Sequence, residues 1–328
     1  LHQDSNRMNK VIHITSMAAL ALLSISCQKT DTDDATSMYE VDNTNYNINM
    51  TTEVLLTAES GEKLSRQDNI AFREGRPQGN LIVIRPDIVK QAIDGIGTSF
   101  TESSAFVLAH LDRDKRQEVM NSIYGEDGAN FSLARTMIGA SDFSVKGRYS
   151  YADVKGDVDL EQFSIAPDRA GFPAKEYPAV QDNAYDLLPM IEEALAIKSS
   201  QKDSDLKIIA SAWTAPSWMK DIEDWYIPGS EENKWQGTGG ELKPQYIPVY
   251  ADYLTRYLDA YRKEGVDIWG LTPVNEPHGN NGQWESMHFS PESQNEFIKH
   301  HLCLLYTSDA ADDQGLGVVW GGGGGVER

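Results

Sequence analysis

Apolar residues along this chain follow two rhythms. Short apolar runs at Phe131–Ile138, Leu206–Ala212 and Ile268–Thr272, with a glycine-rich counterpart at Ala92–Phe100, predict four strands. Between and after them the apolar positions switch to helical spacing. Asp112 to Tyr124 reads as a helix capped by its aspartate and stopped at Gly125, and Ala184 to Lys198 carries Leu187, Leu188, Ile191, Ala194 and Leu195 on one face. A third helix begins near Pro248, stripes Tyr250, Leu254, Tyr257, Leu258 and Tyr261, and ends at Gly265. Ser290-Pro291 caps a fourth that runs toward Leu302. Four strand-then-helix units imply an α/β fold with parallel strands, either half of an eight-unit barrel or a small open sheet.

Ahead of this alternation the rhythm is different. Residues 53–90 hold two strand-like runs, Val54–Ala58 and Leu81–Ile84, joined by a charged connection, and predict a short β element. Residues 28–52 are polar and rich in Asp, Thr and Asn, as a solvated tether would be. Before them, Met8-Asn9-Lys10 and the mostly apolar Val11–Ile25 read as a signal peptide too short to span a bilayer stably. Leu22-Leu23-Ser24-Ile25-Ser26-Cys27 resembles a relaxed bacterial lipobox, with Ser24 where the stricter pattern has Leu. The expectation is a secreted or cell-envelope protein, lipidated at Cys27 and anchored as an outer-membrane lipoprotein of a Gram-negative bacterium. An ordinary secretory signal with an incidental cysteine is the alternative. Residues Leu1–Arg7 look like translated upstream sequence.

Composition narrows the chemistry. Of 328 residues 40% are hydrophobic, enough to bury a core, and 50 acidic against 29 basic residues give a net charge of −21. That charge speaks against nucleic acid or an anionic membrane surface as the main partner. Two cysteines, Cys27 and Cys303, make no disulfide framework, and seven scattered histidines offer no chelating set, so neither a metal nor a cofactor is expected.

The candidate chemistry sits where the strands end. Asn275-Glu276-Pro277 closes the fourth strand, Trp213-Thr214-Ala215-Pro216-Ser217-Trp218 follows the third, and Arg135 lies in the second ahead of Ser141-Asp142-Phe143-Ser144. Carboxylates, an amide and flat aromatic rings at the carboxyl ends of barrel strands are what sugar recognition requires. Trp218 reads equally as a core aromatic, and Glu102 as an acid at a helix amino terminus.

In this order, with Gly95-Ile96-Gly97-Thr98-Ser99-Phe100-Thr101-Glu102 and Tyr149-Ser150-Tyr151-Ala152-Asp153, these motifs resemble glycoside hydrolase family 30, the glucosylceramidase-like retaining β-glycosidases, from about Asp94 to Leu302. The resemblance implies a (β/α)8 TIM-type barrel, residues 91–302 supplying about its first half. It also implies O-glycosyl hydrolysis of a β-glucoside or glucan by double displacement. Glu276 would be the general acid/base, protonated when the substrate arrives. Asn275 would bond the sugar 2-hydroxyl, Asp142 and Trp213 the glycone hydroxyls, with Glu102 among the substrate-binding residues. Arg135 would hold carboxylates beneath them by bidentate pairing. A β-1,6-glucanase, xylanase or cellulase shares parts of this pattern, and a non-catalytic carbohydrate-binding surface lipoprotein could use Asp142, Trp213 and Asn275 without hydrolysis.

The chain departs from the family after Leu302. A retaining enzyme needs a second carboxylate as its nucleophile; the resemblance implies that it comes from the seventh strand, and at about 30 residues per unit the stretch beyond Glu276 is too short to reach it. Residues 303–328 are expected to be non-native: Cys303-Leu304-Leu305-Tyr306-Thr307-Ser308-Asp309-Ala310-Ala311-Asp312-Asp313 resembles a translated sequencing adapter, and Gly321–Gly325 has no helix or strand pattern. A fragment without its nucleophile is expected to expose sheet edges and to show no turnover.

Overall fold

The computed structural model describes residues 11–13, 51–71, 85, 87–202, 205–278, 282–303 and 317–318. The lipobox with Cys27, the tether before residue 51, the run Leu81–Ile84, and Leu304–Asp313 and Gly321–Gly325 of the tail lie outside the described residues. The chain divides into two units, residues 1–93 and 94–328.

The first unit holds an antiparallel sheet in the order β1 (Val11–His13), β2 (Thr51–Thr57), β3 (Ser65–Ala71). The expected Val54–Ala58 strand is found three residues earlier at its start. Ser65–Ala71 was not expected, because Ser-Arg-Gln-Asp-Asn-Ile-Ala has no apolar alternation; it is held by its ladder to β2, in which Leu55 pairs with Arg66. Val11–His13, where an apolar leader is expected to open, pairs with Leu55–Thr57.

The second unit carries the alternation. Strands β4 (Gly97–Ser99), β5 (Leu133–Ile138), β6 (Lys207–Ala212), β7 (Gly270–Thr272) and β8 (Gly317–Val318) form one parallel sheet in sequence order. Four of these are the expected strands, trimmed at their ends. The fourth does not end the sheet, since Gly317–Val318 adds a short strand beside Gly270 and Leu271. On the other side β4 pairs only with β5 among the described residues, and Ile96 beside it is 74% exposed.

The helices start and stop where capping groups allow. Helix α1 (Glu102–Ala109) begins at Thr101, whose Oγ1 accepts from Ser104 N at 2.9 Å, and α2 (Arg113–Tyr124) begins at Asp112, whose Oδ1 accepts from Lys115 N at 2.8 Å. Helix α3 (Leu187–Ser199) starts later than expected, because Asp186 takes the cap position and accepts from Leu187 N. Helix α4 (Ile247–Lys263) buries Tyr250, Tyr253, Leu254, Tyr257 and Tyr261 on its inward stripe. Fully burying Leu254 contributes roughly 1.5–3 kcal/mol. Ser290 caps α5 (Pro291–Phe297), which continues as a π turn over Ile298–Leu302. No described helix is long and apolar enough to cross a membrane.

Candidate active site

Parallel register decides which side chains share the carboxyl end of the sheet. Arg135 of β5 lies level with Ser99 of β4 and Ile209 of β6, while Ser211 of β6 lies level with Thr272 of β7. Side chains two apart share a face, so Arg135 and Ser211 can meet across the strands. They do: Arg135 Nε donates to Ser211 Oγ at 2.9 Å, and Thr272 Oγ1 donates to the same oxygen at 2.6 Å. Arg135 Nη2 donates to Asn275 Oδ1 at 2.7 Å, and its guanidinium carbon stands 4.7 Å from the centre of the Trp213 ring.

Three strands thus deliver Arg135, Trp213 and Asn275 to one place. The guanidinium does not form the expected bidentate pair with a carboxylate; a serine hydroxyl and an asparagine amide fix it. Burial pulls its pKa below the usual arginine range, and the charges of Glu276 and then Asp142 pull it back up, so both acids lie within its electrostatic reach.

Beyond Thr272 the chain leaves the ladder but stays fixed. Asn275 N donates to the carbonyl of Ala212 at 2.6 Å, and Tyr250 of α4 donates its hydroxyl to the carbonyl of Pro273 at 2.6 Å. Glu276 follows with φ of +48°, a left-handed conformation rare for a residue with a Cβ, and its side chain is exposed. Such conformations cost about 1–3 kcal/mol and concentrate where function needs a side chain aimed against its preference.

Asp142 is exposed on the turn after β5. That turn is stitched by Ser141 N to Ser144 Oγ at 2.9 Å and Phe143 N to Ser141 Oγ at 3.1 Å, and pinned to α1 by Ser103 Oγ donating to the Phe143 carbonyl at 2.6 Å. Trp213 is 4% exposed, and its Nε1 finds no acceptor among the described residues. Trp218 belongs to the core, donating from Nε1 to the carbonyl of Ala152 at 2.8 Å.

Glu102 stands apart from this group. As the first residue of α1 it is 5% exposed, and its carboxylate accepts from the backbone N–H groups of Val145 and Lys146 and pairs with Lys146 Nζ. Its acceptors are turned to the protein and order the loop after β5. Placement at the helix amino terminus adds the favourable dipole.

Sequence reasoning passed over Ser211, Thr272 and Tyr250, which hold the site from behind. Ser211 had a signal, a hydroxyl inside an otherwise apolar strand where a buried polar group needs a partner. A cavity of about 370 Å³ beside α5, lined by Leu242, Ile247, His288, Phe289, Phe297 and His301 among others, contains none of Arg135, Asp142, Trp213, Asn275 or Glu276. No group of metal-binding side chains occurs among the described residues.

A strand-end carboxylic acid here follows an asparagine that is bonded to an arginine lying over an indole. Residues 93–317 match the profile of the glycosyl hydrolase family 30 TIM-barrel domain, more than half of the chain and past the Leu302 where the resemblance was expected to stop. The chain belongs to glycosyl hydrolase family 30. It is similar to the lysosomal acid glucosylceramidase of Mus musculus, 26% identical over 227 residues, 68% of this chain and 39% of that protein. Among solved structures it resembles SrfJ from Salmonella typhimurium at 26% identity and a TM-score of 0.61, covering 78% of this chain and 50% of that one. An endo-β1,6-glucanase structure matches at 29% identity and a TM-score of 0.54, covering 75% of this chain and 47% of the other. The chain spans about two fifths of the length of the curated relatives it matches.

Proposed function

We propose that the protein is a retaining β-glycosidase acting on a β-glucoside or β-glucan, with Glu276 as its acid/base. The observation that carries this reading is the convergence of Arg135, Trp213 and Asn275 from three adjacent strands beside a Glu276 held in a left-handed turn. Glu276 would protonate the departing glycosidic oxygen and later take a proton from the attacking water. Asn275, its Oδ1 occupied by Arg135, has its amide N–H groups to offer the sugar 2-hydroxyl, a bond that strengthens as positive charge develops at the ring. A sugar hydroxyl is the acceptor that the indole N–H of Trp213 lacks, and Asp142 would accept from another.

Double displacement needs a second carboxylate about 5–5.5 Å from the first. The reading assigns that part to no residue of this chain and puts it on a later strand, in the portion that the longer relatives have. The glucosylceramidase and endo-β1,6-glucanase relatives support a glucose-type glycone. Lipidation at Cys27, and with it placement at the cell envelope, is part of the same proposal and rests on the Leu22–Cys27 sequence alone.

The test is to express the complete reading frame and assay an aryl β-glucoside, β-1,6-linked glucan and β-xylan, following the anomeric configuration of the first product by NMR. We expect glucoside cleavage with a β-configured first product, abolished by Glu276→Gln. An inverted product would overturn the mechanism, and sugar binding without turnover would make the protein a non-catalytic carbohydrate-binding protein.

A further inference from the structure

Lys220, just past the single 3-10 turn Ser217–Met219 that follows Trp213, is a fully buried lysine. Its Nζ donates to the backbone carbonyls of Trp225 at 2.7 Å, Gly239 at 2.9 Å and Ser286 at 3.0 Å. Three acceptors around one nitrogen call for three N–H donors, and only the ammonium form has them. No carboxylate forms an ion pair with it among the described residues. Burial pushes its pKa down to about 7, while the charges of Asp224, Asp221 and Glu285 oppose the fall.

The three carbonyls belong to two segments. Trp225 and Gly239 flank a hairpin whose arms pair through Ile227 N to Thr238 O at 2.7 Å and Thr238 N to Ile227 O at 2.9 Å. Ser286 belongs to the segment 282–289, which is tied to the residue after Glu276 by Phe289 N donating to the carbonyl of Pro277 at 3.2 Å. The two segments also meet without Lys220. His288 N donates to the Gly240 carbonyl at 2.8 Å, and the backbones pass so closely at Gly237 and Gly282, and at Gly239 and Ser286, that neither crossing has room for a Cβ on its glycine.

We propose that Lys220 is a positioning residue for the site: its ammonium staples the 225–239 hairpin to the 282–289 segment, which Phe289 ties to Pro277, and so fixes the root from which Glu276 projects. The proposal rests on Glu276 being the acid/base only for its catalytic consequence. The staple itself is a statement about backbone order. A buried cation serves here where a neutral side chain would not, because only an ammonium brings three N–H donors to three carbonyls at once.

The test has two arms. In the 328-residue chain, Lys220→Met keeps the side-chain length and removes the donors; amide exchange should rise at least about ten-fold in 225–239 and 282–288 together, with β5 and β6 unchanged. Should that variant fail to fold, the wild type answers the same question. Raising the pH through the lysine's titration should release the same two segments together, after correction for intrinsic exchange rates. Release of one segment without the other, or of neither, overturns the staple.

In the complete enzyme, Lys220→Met should lower kcat more than it raises KM, by about ten-fold for substrates with poor leaving groups and much less for activated ones. A loss equal for all leaving groups overturns the positioning role. The exchange arm does not depend on turnover, so it stands or falls apart from the assignment of Glu276.

Discussion

Two places in the second unit surround acids with polar partners, and they are built in opposite ways. Asp168 is 1% exposed, and its carboxylate accepts from Tyr149 at 3.1 Å and from Tyr151 and Tyr261 at 2.6 Å each. Burial pushes its carboxyl up to about 6, the three tyrosine donors pulling the other way. At the strand ends the order is reversed: the cation, Arg135, is half-buried and tied down by Ser211 and Asn275, while the acids Glu276 and Asp142 stay exposed. Burial is what raises the Asp168 titration, and the Asp168 cluster, closed and filled by its own tyrosines, fastens the loop after β5 to α4. Chemistry belongs where rigid strands hold one charge and leave its partners open.

Removing the organising charge should break the strand-end site and spare the other. Arg135→Ala takes the donors from Ser211 and Asn275 and the countercharge from Glu276 and Asp142. In the complete enzyme kcat/KM should fall at least about 10³-fold, roughly 4 kcal/mol, while Asp168→Asn changes it by less than about three-fold. Equal losses in steady-state assays would erase the distinction between the two regions.

The Asp168 cluster has its own signature, in stability against pH. Its carboxyl binds a proton more tightly folded than unfolded, so the contribution is fully present below pH 4 and is lost as pH rises through about 6. A carboxyl raised to about 6 corresponds to roughly 3 kcal/mol, and urea titrations across pH 4–7 should show that slope in the wild type and not in Asp168→Asn. An unchanged slope in the variant would mean that other groups carry it. The smaller of the two stability effects should come from Ser211→Ala, which removes one neutral acceptor behind Arg135. It should cost about 1 kcal/mol of stability and several-fold in kcat/KM, read from the same two assays.

Sequence periodicity made the strand-then-helix order legible because strands buried between neighbours are continuously apolar and α4 shows its stripe plainly. It missed Ser65–Ala71, whose strand is held by pairing alone, and β8, where glycine and valine carry no pattern. Helix α1 went unassigned as an element, although its Thr101 cap and Glu102 were both in view. The residues of the strand-end site could be picked out because asparagine, glutamate and tryptophan stand directly after apolar runs. Their connections could not: Arg135 reaching Ser211 and Asn275 depends on register between strands far apart in sequence, and Lys220 reads as an ordinary charged loop residue until three carbonyls close around it. Glu102 shows the converse, a strand-end acid in sequence that the fold spends on the backbone of Val145 and Lys146.

The central claim is that Glu276 donates the proton to the leaving group, and leaving-group dependence with azide rescue tests it most directly. In the complete enzyme, Glu276→Ala should lose about 10³-fold in kcat/KM for a β-linked glucan, far less for a dinitrophenyl β-glucoside that departs without a proton, and azide should restore turnover to give a β-glucosyl azide. Equal losses on both substrates with no azide product would contradict the account.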